Sequence, residues 1–311
     1  MSLIENAKSV LLQNLTVKTN ESVLIITDDD KEAIANLFYQ AGKGVSKEAV
    51  LVKMPTRNKS GEEPPQMISS LMKCADVILC VTEHSLTHTN ARKNASESGA
   101  RIATMPGITL DMLENGAITA DYHEVEALTE MYAQRLDQGE EVRIEKDGHV
   151  LTFSIKGRKG IRSTGVFKEK GESGNVPSGE SYIAPIEDSA NGSLLIDGSI
   201  SNIGVLDEPI MLKIEQGRLV QATGETGQRL LDLLGDGAGR TIAEFGIGTN
   251  KKARLTGNVL EDEKVFGTVH IAFGSNKSFG GRTEAGVHID CVMKEPIVWI
   301  DAENVLSSAL G

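Results

Sequence analysis

From residue 21 to about residue 139, short apolar runs alternate with amphipathic stretches of helical length. Val23-Leu24-Ile25-Ile26 lies in the first run, and others follow at 49–52, 77–81 and 101–105. Runs this short, bounded by turn residues, suit strands buried on both faces, and the stretches between them suit the helices that connect parallel neighbours. The pattern predicts an α/β domain of three layers around a parallel sheet, flavodoxin-like or Rossmann-like, with helices near 31–41 and 120–138. The polar, proline-rich stretch 55–65 reads as a mobile surface loop within this domain. Gly139 marks a change. Beyond it come short β-rich runs at 141–144, 150–155, 194–196 and 210–214, separated by Gly and Asp turns. One interruption, 225–234, places Leu230, Leu231 and Leu234 at helical spacing, with Gly235 where a C-cap belongs. Two domains are therefore expected: an α/β domain at 1–139 and a β-rich α+β domain at 140–311.

Charge narrows the partners. With 44 acidic against 32 basic residues the formal net charge is −12, which opposes nonspecific binding to a phosphate backbone, so no nucleic acid is expected. No window approaches about 18 uncharged apolar residues, and the N-terminus lacks a signal-like apolar stretch, so neither a membrane span nor export is expected. Cys74, Cys80 and Cys291 show no Cys-x-x-Cys spacing and read as reduced thiols of a cytoplasmic protein. No glycine-rich nucleotide fingerprint follows a strand. Asp28, Asp29 and Asp30 suit a strand end and the N-terminus of the following helix. His84 and His88, four apart, read as surface residues near a helix start.

Two of the six histidines lie close together in a glycine-rich, apolar segment. If Gly267-Thr268-Val269-His270-Ile271-Ala272-Phe273 is a strand, Val269, Ile271 and Phe273 share its apolar face and His270 points the other way. By the same alternation His288 and Asp290 project together from a second strand, past the glycine-rich loop 274–286. Two imidazoles and a carboxylate on adjacent strands suit Zn, Fe(II), Mn or Co with open coordination positions; satisfied polar residues on exposed sheet faces fit the same spacing equally well. Glu244, in an apolar glycine-rich run, would be costly to bury without a cation. Glu180 follows a turn and fits either a ligand or a solvated loop residue, and the run Glu261-Asp262-Glu263 reads as a solvated turn.

Taken in order, Asn175 to Glu180, Ala243 to Gly248, Gly267 to Gly274 and His288 to Asp290 resemble the metal site of the aminopeptidase T group of metallo-aminopeptidases, family M29. The stretches 88–92 and 99–109 resemble shorter members, so the likeness covers nearly the whole chain. It implies one or two divalent ions (Zn, Co, Mn or Fe(II)) on Glu180, Glu244, His270, His288 and Asp290, with Glu244 also a candidate catalytic group. It further implies removal of N-terminal amino acids from peptides through a metal-activated water. The family's catalytic tyrosine, seven residues after the first histidine, is replaced here by Lys277, whose loop glycines are expected to let it reach the metal. A related branch, the dihydroxypyridine ring-cleaving dioxygenases, implies instead a single Fe(II) on His270, His288 and Asp290. A non-catalytic metal-binding or assembly protein is a third reading. The expected partner is a small molecule or a peptide, and a homodimer is compatible with all three.

Overall fold

The computed structural model describes residues 2–307 and divides into two compact units. The first takes the chain up to Glu126 and then Gly165–Ser178; the second takes Ala127–Thr164 and everything from Gly179. The chain thus passes between units three times, where the change of pattern at Gly139 suggests a single crossing. The cause is a three-residue strand, Ser173–Asn175, which pairs in parallel with Arg101–Thr104 and extends the sheet of the first unit. So short a strand leaves no periodic signal.

In the first unit the parallel strands run in the order Glu48–Lys53, Ser22–Thr27, Val77–Val81, Arg101–Thr104, Ser173–Asn175. By first appearance along the chain this is 2-1-3-4-5, one of the two common orders of doubly wound sheets. Every residue of Val77–Val81 is buried, whereas the edge strand Glu48–Lys53 keeps partial exposure along its length. Asp28 is fully buried, and its carboxylate accepts from the backbone N–H groups of Lys31 at 3.1 Å and Glu83 at 2.7 Å, tying two strand ends together. The 55–65 loop is also tied down: Glu63 accepts from the N–H groups of Asn90 and Ala91 at the start of helix Asn90–Glu97.

In the second unit, among the described residues, two seven-stranded antiparallel sheets carry the chain. One runs from Arg218–Ala222 at one edge to Glu303–Leu306 at the other. The second runs Gly204–Val205, Ser199–Ile200, His288–Lys294, Thr268–Gly274, Ile242–Gly248, Glu180–Ile183, Ile161–Ser163. Apolar side chains of both sheets share one core: Phe153 of the first meets Phe245 of the second edge to face, ring centroids 5.5 Å apart, among Ile144, Leu212, Ile271, Phe273, Ile289 and Met293. Burying these large side chains, each worth about 1.5–3 kcal/mol, holds the second sheet by one face and leaves its other face to polar residues. Helix Gly224–Leu234 adds Leu230 and Leu234 to this core and ends at Gly235, whose φ of +65° lies where glycine is favoured. Among the described residues no helix is long and apolar enough to cross a membrane.

Candidate metal centre

Strand register alone brings the predicted site residues to one face. Gly246 lies opposite His270 on one side and Tyr182 on the other, Ala272 lies between Glu244 and Asp290, Gly274 opposite His288, and Gly248 opposite Glu180. Directly opposed residues of an antiparallel sheet project to the same side. Four neighbouring strands thus present Glu180, Glu244, His270, His288 and Asp290 together, while Phe245, Ile271, Ile289 and Cys291 take the core side. Glycine makes the room. A Cβ on Gly246 would stand 2.1 Å from His270 Nε2, so the imidazole lies across the space a side chain would fill.

Glu244 sits at the centre. Its Oε1 is 3.2 Å from His270 Nε2 and its Oε2 is 3.5 Å from His288 Nε2, which is also 3.4 Å from Asp290 Oδ1. His288 Nδ1 is 2.9 Å from the carbonyl of Ser275, and Ser201 donates to Asp290 Oδ2 at 3.1 Å. Single donor atoms of Glu244, His270 and Asp290 lie within 4.8 Å of one another, and those of Glu180, Glu263 and His270 form a second such group. His270 is wholly buried, while 31% of the His288 side chain stays exposed. The site is therefore open at His288.

The charges explain one another. Burial pulls the His270 imidazole down, but its bond to Glu244 and the charges of Glu180, Glu244 and Glu263 carry it up to about 9. His288 is likewise opposed by burial and raised to about 10 by Asp290 and Glu244. Burial also acts against ionised Asp290, yet the two imidazoles hold its carboxyl well below the usual carboxylate range. Glu244 moves the other way, raised by burial. Asp290 Oδ1 and Glu180 Oε2 are buried without a hydrogen bond, although each has an imidazole within 3.5 Å. Buried acceptors left in this state cost free energy that a cation would recover.

Lys277 departs from expectation. Its ammonium pairs with Glu284 at 2.9 Å and its side chain is 69% exposed, so it is a surface residue and not part of the cluster. Asn276, fully buried, fixes this outcome: its side chain accepts from Thr283 N–H at 2.8 Å and donates to Glu187, and it fills the space where Gly281 has no Cβ. With Asn276 turned inward, the turn Lys277–Phe279 sends the lysine out and brings Phe279 over the site. The Phe279 ring stands edge to face with Tyr182 at 5.4 Å and with the His288 imidazole at 6.0 Å.

The acidic run is also not a solvated turn. Glu261 and Asp262 are buried, and Asp262 accepts from the N–H groups of Thr256 and Gly257, closing the 254–262 loop. Lys264, missed in the sequence, is fully buried with its ammonium 3.0 Å from Glu180 Oε1 and in contact with Glu263. Four consecutive charges, Glu261 to Lys264, beside the apolar run that contains His270 were the available signal. Tyr182 and Phe279 gave none, because an isolated aromatic residue in a strand or loop reads equally well as core.

The same fold occurs in solved structures. The chain superposes on the structure of a 2,5-dihydroxypyridine dioxygenase from Pseudomonas putida KT2440 with a TM-score of 0.80 at 19% identity, covering 98% of this chain and 95% of that one. It also superposes on wild-type AmpT from Thermus thermophilus with a TM-score of 0.68 at 16% identity, covering 95% and 94%. No curated protein sequence matches it. The family model described as NicX, 2,5-dihydroxypyridine 5,6-dioxygenase, matches residues 3–309, and the chain belongs to that family. The expectation of an aminopeptidase, a hydrolase trimming peptides, is thereby corrected: the peptidase fold is shared, but the family that spans this chain is a dioxygenase family, an oxidoreductase class. The likeness to the aminopeptidase fold holds; what the family match changes is the reaction class read from it.

Proposed function

We propose that the protein is a metal-dependent ring-cleaving dioxygenase acting on a dihydroxylated pyridine, with His270, His288 and Asp290 holding one Fe(II). The observation that carries this reading is the convergence of two imidazoles and one carboxylate on a single sheet face, open on the His288 side. Two histidines and one carboxylate are the ligand set of non-haem Fe(II) oxygenases. Bound there, the ion would supply the redox chemistry by which dioxygen opens a hydroxypyridine ring.

The chain's own residues do the rest. Ser275 C=O fixes the His288 ring through Nδ1, which leaves Nε2 facing Asp290 and Glu244, and Ser201 orients Asp290 through Oδ2, which leaves Oδ1 facing the site. Partners of this kind set ligand orientation and basicity. Glu244 touches both imidazoles and, with its carboxyl raised by burial, is placed to hold a proton at Oε2 beside the open side of the cluster. Phe279 and Tyr182 border the same face and offer an aromatic wall to a planar ring.

The test is oxygen uptake. Protein loaded anaerobically with Fe(II) and mixed with 2,5-dihydroxypyridine should consume about one O2 per ring opened, with loss of the pyridine absorbance, and chelator-treated protein should consume none. Retained iron with no oxygen uptake on this or related dihydroxypyridines would overturn the reading.

A further inference from the structure

We infer that Lys264 serves as a built-in second cation: its ammonium occupies the Glu180–Glu263–His270 donor group and restricts the protein to one metal ion. This inference rests on the proposed metal site and adds to it a second donor set that the chain closes by itself.

The cluster contains two donor groups that share His270, one with Glu244 and Asp290, the other with Glu180 and Glu263. Each offers three donor atoms within 4.8 Å, a spread that metal–ligand bonds of about 2.0–2.2 Å span after small side-chain rotations. The two differ in what already fills them. In the first, the carboxylates meet the imidazoles of His270 and His288 and the hydroxyl of Ser201, and no Lys or Arg ammonium or guanidinium pairs with Glu244 or Asp290 among the described residues. In the second, the Lys264 ammonium lies 3.0 Å from Glu180 Oε1 and touches Glu263. A lysine with no exposed side chain must be paired, and Glu180 and Glu263 are its partners.

Backbone geometry makes the delivery of this lysine a constructed feature. The segment holding Lys264 and Val265 crosses the site face at Gly248, where a Cβ would stand 2.0 Å from the Val265 carbonyl. Asn250 holds the crossing in place: its N–H donates to Lys264 C=O at 2.9 Å, and its C=O accepts from Phe266 N–H at 3.1 Å. Gly248 also lies opposite Glu180 in the sheet, so the crossing sets the lysine stem beside that carboxylate. Such a cation is permanent and cannot exchange, which keeps Glu180 and Glu263 from drawing a second ion to His270.

Stoichiometry tests the inference. Metal-free protein is titrated with Mn2+ and washed, and bound metal is counted by elemental analysis while electron paramagnetic resonance reads coupling between ions. The parent and Lys264→Arg should retain one ion; Lys264→Met should retain two, magnetically coupled, and Lys264→Met/Glu263→Gln should return to one. Should Lys264→Met unfold without metal, refolding at two equivalents of Mn2+ supports the inference, and failure to refold at any Mn2+ concentration overturns it. One ion in folded Lys264→Met, or two in the parent, also overturns it. A parent that binds none would sink the metal-site proposal itself, a distinguishable result.

Discussion

With its imidazole held up at about 9 by Glu244, Glu180 and Glu263, His270 carries a proton at neutral pH when no ion is bound, and His288, at about 10, does too. Both imidazoles are raised above their unfolded value, so the stability they contribute is complete below about pH 6.5 and is lost as pH rises through 9 and 10. The melting temperature of the metal-free protein should therefore fall from pH 6.5 towards pH 10, and His288→Ala should flatten part of that slope; a melting temperature that stays level across this window would contradict the charge pairing. Metal must displace these protons. Binding is then expected to tighten by at least about tenfold per pH unit between pH 6 and 8, because one or more protons leave per ion bound. His270→Ala, His288→Ala and Asp290→Ala should each lose the metal and the oxygen uptake while circular dichroism reports an intact fold. The core lies on the opposite face of these strands, so the ligands add little to it.

At the level of elements, the site depends on where strands and loops leave room. Gly246 does not lie in the left-handed region, so Gly246→Ala adds no backbone strain and acts only through the clash with His270. We expect a loss of metal affinity of about 10–100-fold, the range seen when a ligand loses its orientation, measured by competition with a chelating dye. In the 275–286 loop, Phe279→Ala should raise KM for the dihydroxypyridine about threefold to tenfold with little change in kcat, the loss of one aromatic contact of about 0.5–1.5 kcal/mol. Lys277→Met should change neither. The alternation of Thr268 to Gly274 and of His288 to Asp290 is legible in the sequence itself, since a period of two fixes which side chains share a face. The direction of Lys277 is not, because it depends on Asn276 reaching Glu187 and Thr283, contacts distant in sequence or set by a loop with no period of its own.

For the molecule as a whole, binding an ion to the folded state alone couples metal to stability. At a free Mn2+ or Fe(II) concentration a hundred times Kd, the gain is about 2.7 kcal/mol. Calorimetry should show it as a rise of several degrees in the unfolding temperature that chelator reverses, and an unchanged transition in metal-loaded protein would contradict a site built into this sheet. Periodicity determined the first four strands of the parallel sheet, the β-rich character of the remainder, the helix closed by Gly235, and the shared strand face of His288 and Asp290, because each of these is written in local alternation and capping. Only the tertiary structure decided the three passages between units, the register that sets Glu244 between the two imidazoles, and the burial of Glu261, Asp262 and Lys264. A charged residue reads as solvated until its partner is known. For Lys264 that partner is Glu180, more than eighty residues away along the chain, and only the folded sheet brings the two within 3.0 Å.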